Sequence, residues 1–157
     1  MTATILVRSL LHNIGVVVVG FGFAFLGRAI DSLLGIARFD SVVTIAFALL
    51  LLTIGFMLRV WATYIFYEEH MKVISLVPQK KLITSGPYRI SRNPLYLGGN
   101  VFIFLGAVLF LGSPTGIALT VINILVVEVM IRREERQLAQ EFGEAWARYR
   151  ERVRRWV

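Results

Sequence analysis

Most side chains able to do chemistry sit in two short stretches. One is GPYRISRNPLYLG, residues 86–98, and the other opens with the pair Glu134 and Glu135. In the first, Gly86–Pro87 is a turn. Asn93 stands before a proline and is therefore biased away from helix. Pro94 suits the first turn of a helix. The backbone amides that follow point out of that helix end, which favours a carboxylate or a phosphate. Arg89 and Arg92 add positive charge beside it. Tyr88 and Tyr96 offer ring faces to a cation or an aromatic base. Glu134 and Glu135 can accept hydrogen bonds from hydroxyls or an ammonium. Such a set fits a ligand that combines a carboxylate, an ammonium, a sulfonium and a ribose.

Other groups able to move a proton are Glu68, Glu69, His70 and Glu128. Glu128 falls nearly inside an apolar run, where a carboxylate is costly unless paired or facing a cavity; Arg59 is its simplest partner. His70 has no metal-ligand spacing around it, and no metal site is expected. The chain has no cysteine, which removes thiolate metal sites, disulfides and cysteine nucleophiles together. No Ser/His/Asp grouping, Walker loop or GxGxxG is present, and no βαβ pattern could carry a dinucleotide site.

The elements that position these groups are membrane helices. Hydrophobic residues make up 57% of the 157 residues and charged residues 17%, against about 45–50% and 25% in soluble domains. Mean hydropathy is +0.70. Spans are expected at about 10–27, 42–66, 95–111 and 117–131; the third and fourth are short against the roughly 20 residues that cross a bilayer. Small residues Gly15, Gly20, Gly22, Ala24 and Gly27 line the first span and permit close helix approach, to its neighbours or to a second copy. Arg59 interrupts the second span near its end, where its stem can snorkel to the interface. Trp61, Tyr64 and Tyr67 fit an aromatic belt. The GSPTG stretch at 112–116 makes a tight hairpin between the third and fourth spans.

From Arg132 the pattern changes. Leu138, Phe142, Ala145, Trp146, Tyr149, Val153 and Trp156 recur at helical spacing with Arg and Glu between them. A C-terminal amphipathic helix over 132–155 is expected, continuing from the fourth span and leaning on the membrane surface. The fold class is therefore an all-α integral membrane protein in one domain. Lys72, Lys80, Lys81, Arg89 and Arg92 lie in the 68–94 loop, and eight arginines follow residue 131. Basic segments stay cytoplasmic. Both termini, the long loop and any site near them are expected on that side (the inner membrane, if the cell is bacterial). The net charge of +7 on so apolar a chain points to a bilayer surface before nucleic acid.

The two stretches together resemble the isoprenylcysteine carboxyl methyltransferase and phospholipid methyltransferase superfamily of small membrane enzymes. The pattern resembled is G-x-Y-x-x-x-R-H-P-x-Y, then E-E-x-x-L-x-x-x-F-G-x-x-[YW]-x-x-Y, over roughly residues 80–155. The resemblance implies S-adenosylmethionine as cofactor and a lipid or other lipophilic acceptor. It implies that Gly86, Tyr88, Asn93, Pro94, Tyr96, Glu134 and Glu135 line the cofactor cavity, with Leu138, Phe142 and Gly143 packing the tail over it. Arg92, Glu128 and Glu135 are the expected catalytic set, Arg92 to orient a carboxylate and Glu128 to take a proton. Asn93 stands where many members have histidine and cannot carry a proton. The N-P-x-Y-x-G form also resembles phosphatidylethanolamine methyltransferases, which favours a phospholipid amine over an isoprenylcysteine-like carboxylate. Glu135→Ala and Tyr96→Ala are expected to weaken cofactor binding and spare the fold. Two other readings compete. One is an NADPH-dependent reductase related to sterol reductases. The other is a non-enzymatic four-helix transporter coupled through Glu128.

Overall fold

The computed structural model describes residues 3–71 and 81–157. Lys72, Pro78 and Lys80 lie outside the described residues. Four helices carry the fold: α1 (Ala3–Leu34), α2 (Val42–Glu68), α3 (Pro94–Phe110) and α4 (Pro114–Arg152). A single 3₁₀ turn, Gly86–Arg89, precedes α3. Helices α1, α2 and α4 are long and apolar enough to cross a membrane, and α3 is a shorter apolar helix. There is no strand among the described residues.

The bundle is built inside out. On α1 the buried residues are Ser9, Asn13, Gly20, Ala24, Gly27 and Asp31, while Leu11, Val18, Val19, Phe25 and Leu26 are exposed. Lipid is as apolar as leucine, so burial of large apolar groups brings little helix association there. Close backbone approach and polar contacts do the work instead. A Cβ on Gly27 would lie 2.6 Å from the Gly116 Cα on α4, and one on Gly20 would lie 2.9 Å from Ile103 on α3. Gly15 and Gly22 meet nothing within 4 Å. Half of the glycine face is thus used inside the chain. Helix α1 packs against the other three, and α2 packs chiefly on α3.

At the end away from the sequence motifs, Gly112 (φ 62°) turns the chain between α3 and α4. Ser113 caps α4 by accepting from the Gly116 amide at 2.9 Å. The buried Asp31 adds a second cap from α1. It accepts from Ser113 Oγ at 2.5 Å and from the Thr115 amide at 3.0 Å. Asp31→Ala should cost about 0.5–2 kcal/mol, the usual cost of a lost N-cap. A thermal melt in detergent checks this.

The tail continues from the fourth span, as its helical spacing suggests, and differs from expectation in what its apolar face packs against. The fourth span and the tail form one helix of 39 residues, broken only at Gly143 (φ 48°, ψ −119°). No described residue lies within 4 Å of a Cβ at Gly143, whose positive φ makes the kink. The tail's apolar face also has a protein partner. Trp146, Tyr149 and Val153 are buried with Leu82, Leu138 and Phe142 packed on them. That face covers the 81–93 segment instead of lying free for lipid.

Helix α3 is irregular. It starts as an α-helix at Pro94–Tyr96, widens to a π-helix at Leu97–Ile103, and returns to α from Phe104. Gly98 and Gly99 lie in the widened part, against Arg59 of α2. Such segments are rare, and those that occur are frequently at functional sites.

Candidate functional site

Residues 88–96, the end of α2, and 128–155 of α4 and the tail meet at one end of the bundle. Asn93 is the N-cap residue and Pro94 occupies the first turn of α3, as their types predict. Gly86 takes φ 58°, and a Cβ there would collide with Ile65. Glycine suits that left-handed turn, which seats Tyr88 in a buried cluster with Ala62, Ile65, Phe66, Met71 and Ile83.

The two adjacent glutamates face different partners, since neighbouring helix positions are about 100° apart. Glu134 Oε1 accepts from the Tyr96 hydroxyl at 2.6 Å. It touches solvent yet is crowded by protein, and this burial raises its carboxyl above the usual range, partly offset by the Tyr96 bond. Glu135 is buried and belongs to an ion-pair network. Its Oε1 lies 3.0 Å from Arg92 Nη2, and its Oε2 lies 2.6 Å from Arg155 Nη2.

That network also takes in Glu128. Glu128 Oε1 accepts from Arg155 Nη1 at 2.6 Å and from Arg132 Nε at 2.9 Å. Its partners are therefore Arg155 and Arg132, and not Arg59 as the sequence suggested. Glu128 Oε2 is buried without a hydrogen-bond partner among the described residues. The structure thus brings Arg92, Glu128 and Glu135 together, and adds Arg155.

Arg92 also fastens the chain end. Its Nη1 donates to the carbonyls of Arg150 and Val153 at 3.1 and 3.0 Å, and its amide donates to the Arg154 carbonyl at 2.9 Å. Free carbonyls at a helix C-terminus attract such a cation. Ser91 Oγ and Asn93 Nδ2 both donate to the Arg155 carbonyl, at 3.0 and 3.3 Å. Tyr149 donates to the Tyr88 carbonyl at 2.7 Å. Residues 153–155 therefore form a strap across the start of α3. Asn93, expected to face the cofactor, has its side chain on this strap.

Burial alone would raise the Glu135 carboxyl, but Arg155 and Arg92 outweigh it and hold the group below its usual range. A depressed carboxyl stabilises the fold above its unfolded value of about 4.3. That stability is lost as pH falls through the lower folded value. The strap should therefore loosen on acidification, read as faster hydrogen exchange at residues 150–157. Loosening between about pH 6 and 8 would contradict this.

The Tyr88 hydroxyl is buried with no hydrogen-bond partner among the described residues. Burial and Tyr149 push it well above its usual value, while the nearby Arg59 cation opposes them and Glu134 adds to them. Two further groups proposed from sequence are accounted for elsewhere. Glu69 pairs with Lys81 at 2.7 Å. His70 is exposed at φ 55°, ending α2.

Arg59 does not snorkel. It is 7% exposed and turned into the bundle. Its Nε donates to Asn13 Oδ1 at 2.8 Å, and its Nη1 to the Leu95 carbonyl at 2.6 Å. Asn13 in turn donates to the Ser9 carbonyl and to Thr63 Oγ1, both at 2.8 Å. Ser9 and Thr63 share a further hydroxyl–hydroxyl bond.

The phospholipid methyltransferase family model matches residues 43–145. The chain belongs to the phospholipid methyltransferase family. The match takes in α3 and most of α2 and α4, as far as Ala145, and so Tyr88, Tyr96 and Glu134 themselves, but not Tyr149, which bonds to the Tyr88 carbonyl. Helix α1, with Ser9 and Asn13, lies outside it, as does Arg155. Searches of curated proteins and of solved structures found no match. This family member is a membrane methyltransferase, which sets aside the reductase and transporter readings.

Proposed function

We propose that this chain transfers a methyl group from S-adenosylmethionine to the amine of a membrane phospholipid, at the cytoplasmic ends of four spans. The reading rests first on the family match. The observation that carries the site is the Tyr96–Glu134 bond between α3 and α4 at 2.6 Å, together with a buried Tyr88 hydroxyl that has no partner among the described residues. Positive-inside charge supports the cytoplasmic side. Helices α2 and α4 each pack on α1 and α3 and have little contact with one another, which supports sideways entry of a lipid between them.

When bound, S-adenosylmethionine supplies an electrophilic methyl on a sulfonium sulfur, whose carbon–sulfur electron pair stays with the departing neutral thioether. The protein's part is positioning and exclusion of water. Tyr88, Tyr96 and Glu134 have donors and acceptors suited to the ribose and the ammonium of this cofactor. Gly86 and Pro94 set the backbone that places them. Arg92, Glu128 and Glu135 act through the strap, holding the loop and α4 at fixed spacing. An amine acceptor must shed a proton before its lone pair can form the new nitrogen–carbon bond. Glu134 is the carboxylate with a raised affinity for that proton.

Glu134→Gln should then lower turnover about a hundredfold, within the usual range for a lost general base, with the melting temperature unchanged. The activity test uses methyl-labelled S-adenosylmethionine and nanodiscs holding phosphatidylethanolamine or a prenylated cysteine. Label in the phospholipid is the expected result. Label in the prenylated cysteine overturns the acceptor, and label in neither overturns the reading.

A further inference from the structure

Arg59 is a buried cation without an anion. None of the seven ion pairs among the described residues includes it. The undescribed residues 1–2 and 72–80 contain no Asp or Glu. A guanidinium has five N–H donors, and two of those on Arg59 have acceptors among the described residues, both neutral. A buried charge is normally paired, because desolvation costs several kcal/mol per ion. A helix staple alone does not require that cost.

Three surrounding features aim this cation at a ligand. Asn13 gives both of its amide-donor contacts to Ser9 and Thr63, so its oxygen is left to face Arg59 and the guanidinium is held in place. The π-helical turn carries Gly98 and Gly99 past it, and a Cβ at Gly99 would come within 2.6 Å of Arg59 Nη1. The Tyr88 hydroxyl, near Arg59, is buried and has no hydrogen-bond partner among the described residues. Consecutive residues also connect two opposite charges. The Leu95 carbonyl holds Arg59, and the Tyr96 hydroxyl holds Glu134.

We propose that Arg59 binds an oxyanion, a carboxylate or a phosphate, at one end of a zwitterionic ligand whose ammonium end faces Glu134. Guanidinium geometry suits either oxyanion through paired hydrogen bonds. The inference rests on the methyl-transfer reading for its two sources. These are the amino-acid carboxylate of the methyl donor and the phosphodiester of the acceptor lipid. Helix α1 then contributes to the site through Asn13, although it lies outside the family match.

The test uses full-length wild type, Arg59→Gln and Arg59→Lys in nanodiscs, each checked by thermal melt. Titration with S-adenosylhomocysteine, which keeps the carboxylate, is compared with methylthioadenosine, which lacks it. Binding of spin-labelled phosphatidylethanolamine is measured in parallel. Loss of one buried charge partner should weaken the affected ligand about tenfold or more. Loss confined to S-adenosylhomocysteine assigns the donor carboxylate. Loss confined to the phospholipid assigns its phosphate. Arg59→Lys should fall between wild type and Arg59→Gln, and it carries the test if Arg59→Gln does not fold. Equal loss of both nucleosides, or no loss in either arm, overturns the proposal. Wild type that binds neither nucleoside overturns methyl transfer instead, and the phospholipid arm still decides Arg59.

Discussion

Glu135→Ala is expected to release the C-terminal strap and destabilise the protein by about 3–5 kcal/mol, the range for removing one partner of a buried ion pair. Glu135 touches both Arg92 and Arg155, whose side chains are 9% and 28% exposed. Its loss leaves both cations with less compensation inside the protein. Arg92 then competes with water for the 150 and 153 carbonyls, and Arg155 keeps only Glu128. The effect should appear as a lower melting temperature in detergent and faster exchange at residues 150–157. Sequence alone expected this substitution to weaken a ligand and spare the fold. An unchanged melt would restore that simpler view.

Gly27→Val should break the contact between α1 and α4. A Cβ at Gly27 would sit 2.6 Å from the Gly116 Cα and 2.7 Å from its amide nitrogen. Those atoms are backbone and cannot rotate away. Overpacking commonly costs about 1–3 kcal/mol, and here the helices themselves must part, which puts the expected cost at the upper end. Gly22→Ala is the control. It meets nothing within 4 Å, so relief of glycine's entropy cost should stabilise by about 0.5–1 kcal/mol. The pair of melts is decisive when read together. Equal shifts would mean that α1 is not fastened to α4 through Gly27.

Much of this was legible in the residues. Long apolar runs required helices, and Pro94, Ser113 and Gly112 mark helix boundaries through backbone chemistry that acts locally. The motif around Tyr88, Tyr96 and Glu134 was legible for the same reason, because each residue type has its own chemistry. What escaped depended on contacts across the bundle. Arg155 was one of eight arginines in the tail, and nothing local separates it from Arg148 or Arg152. Arg59 was read as a snorkelling side chain because its acceptors, Asn13 Oδ1 and the Leu95 carbonyl, are neutral and far away in sequence. Gly98–Gly99 in mid-helix was the one available signal. Paired glycines there carry a propensity cost, and they turn out to lie in the π-helical turn against Arg59. Glu134 and Glu135 could not be told apart until the helix phase was known.

The proposed methyl transfer requires that Tyr88, Tyr96 and Glu134 bind S-adenosylmethionine. The most direct measurement is isothermal titration of the nanodisc-held protein with S-adenosylmethionine and S-adenosylhomocysteine, with NADPH alongside. Saturable binding of the first two, weakened in Glu134→Gln and absent for NADPH, is the predicted result. Binding of NADPH alone, or of none of the three in a folded sample, would contradict it.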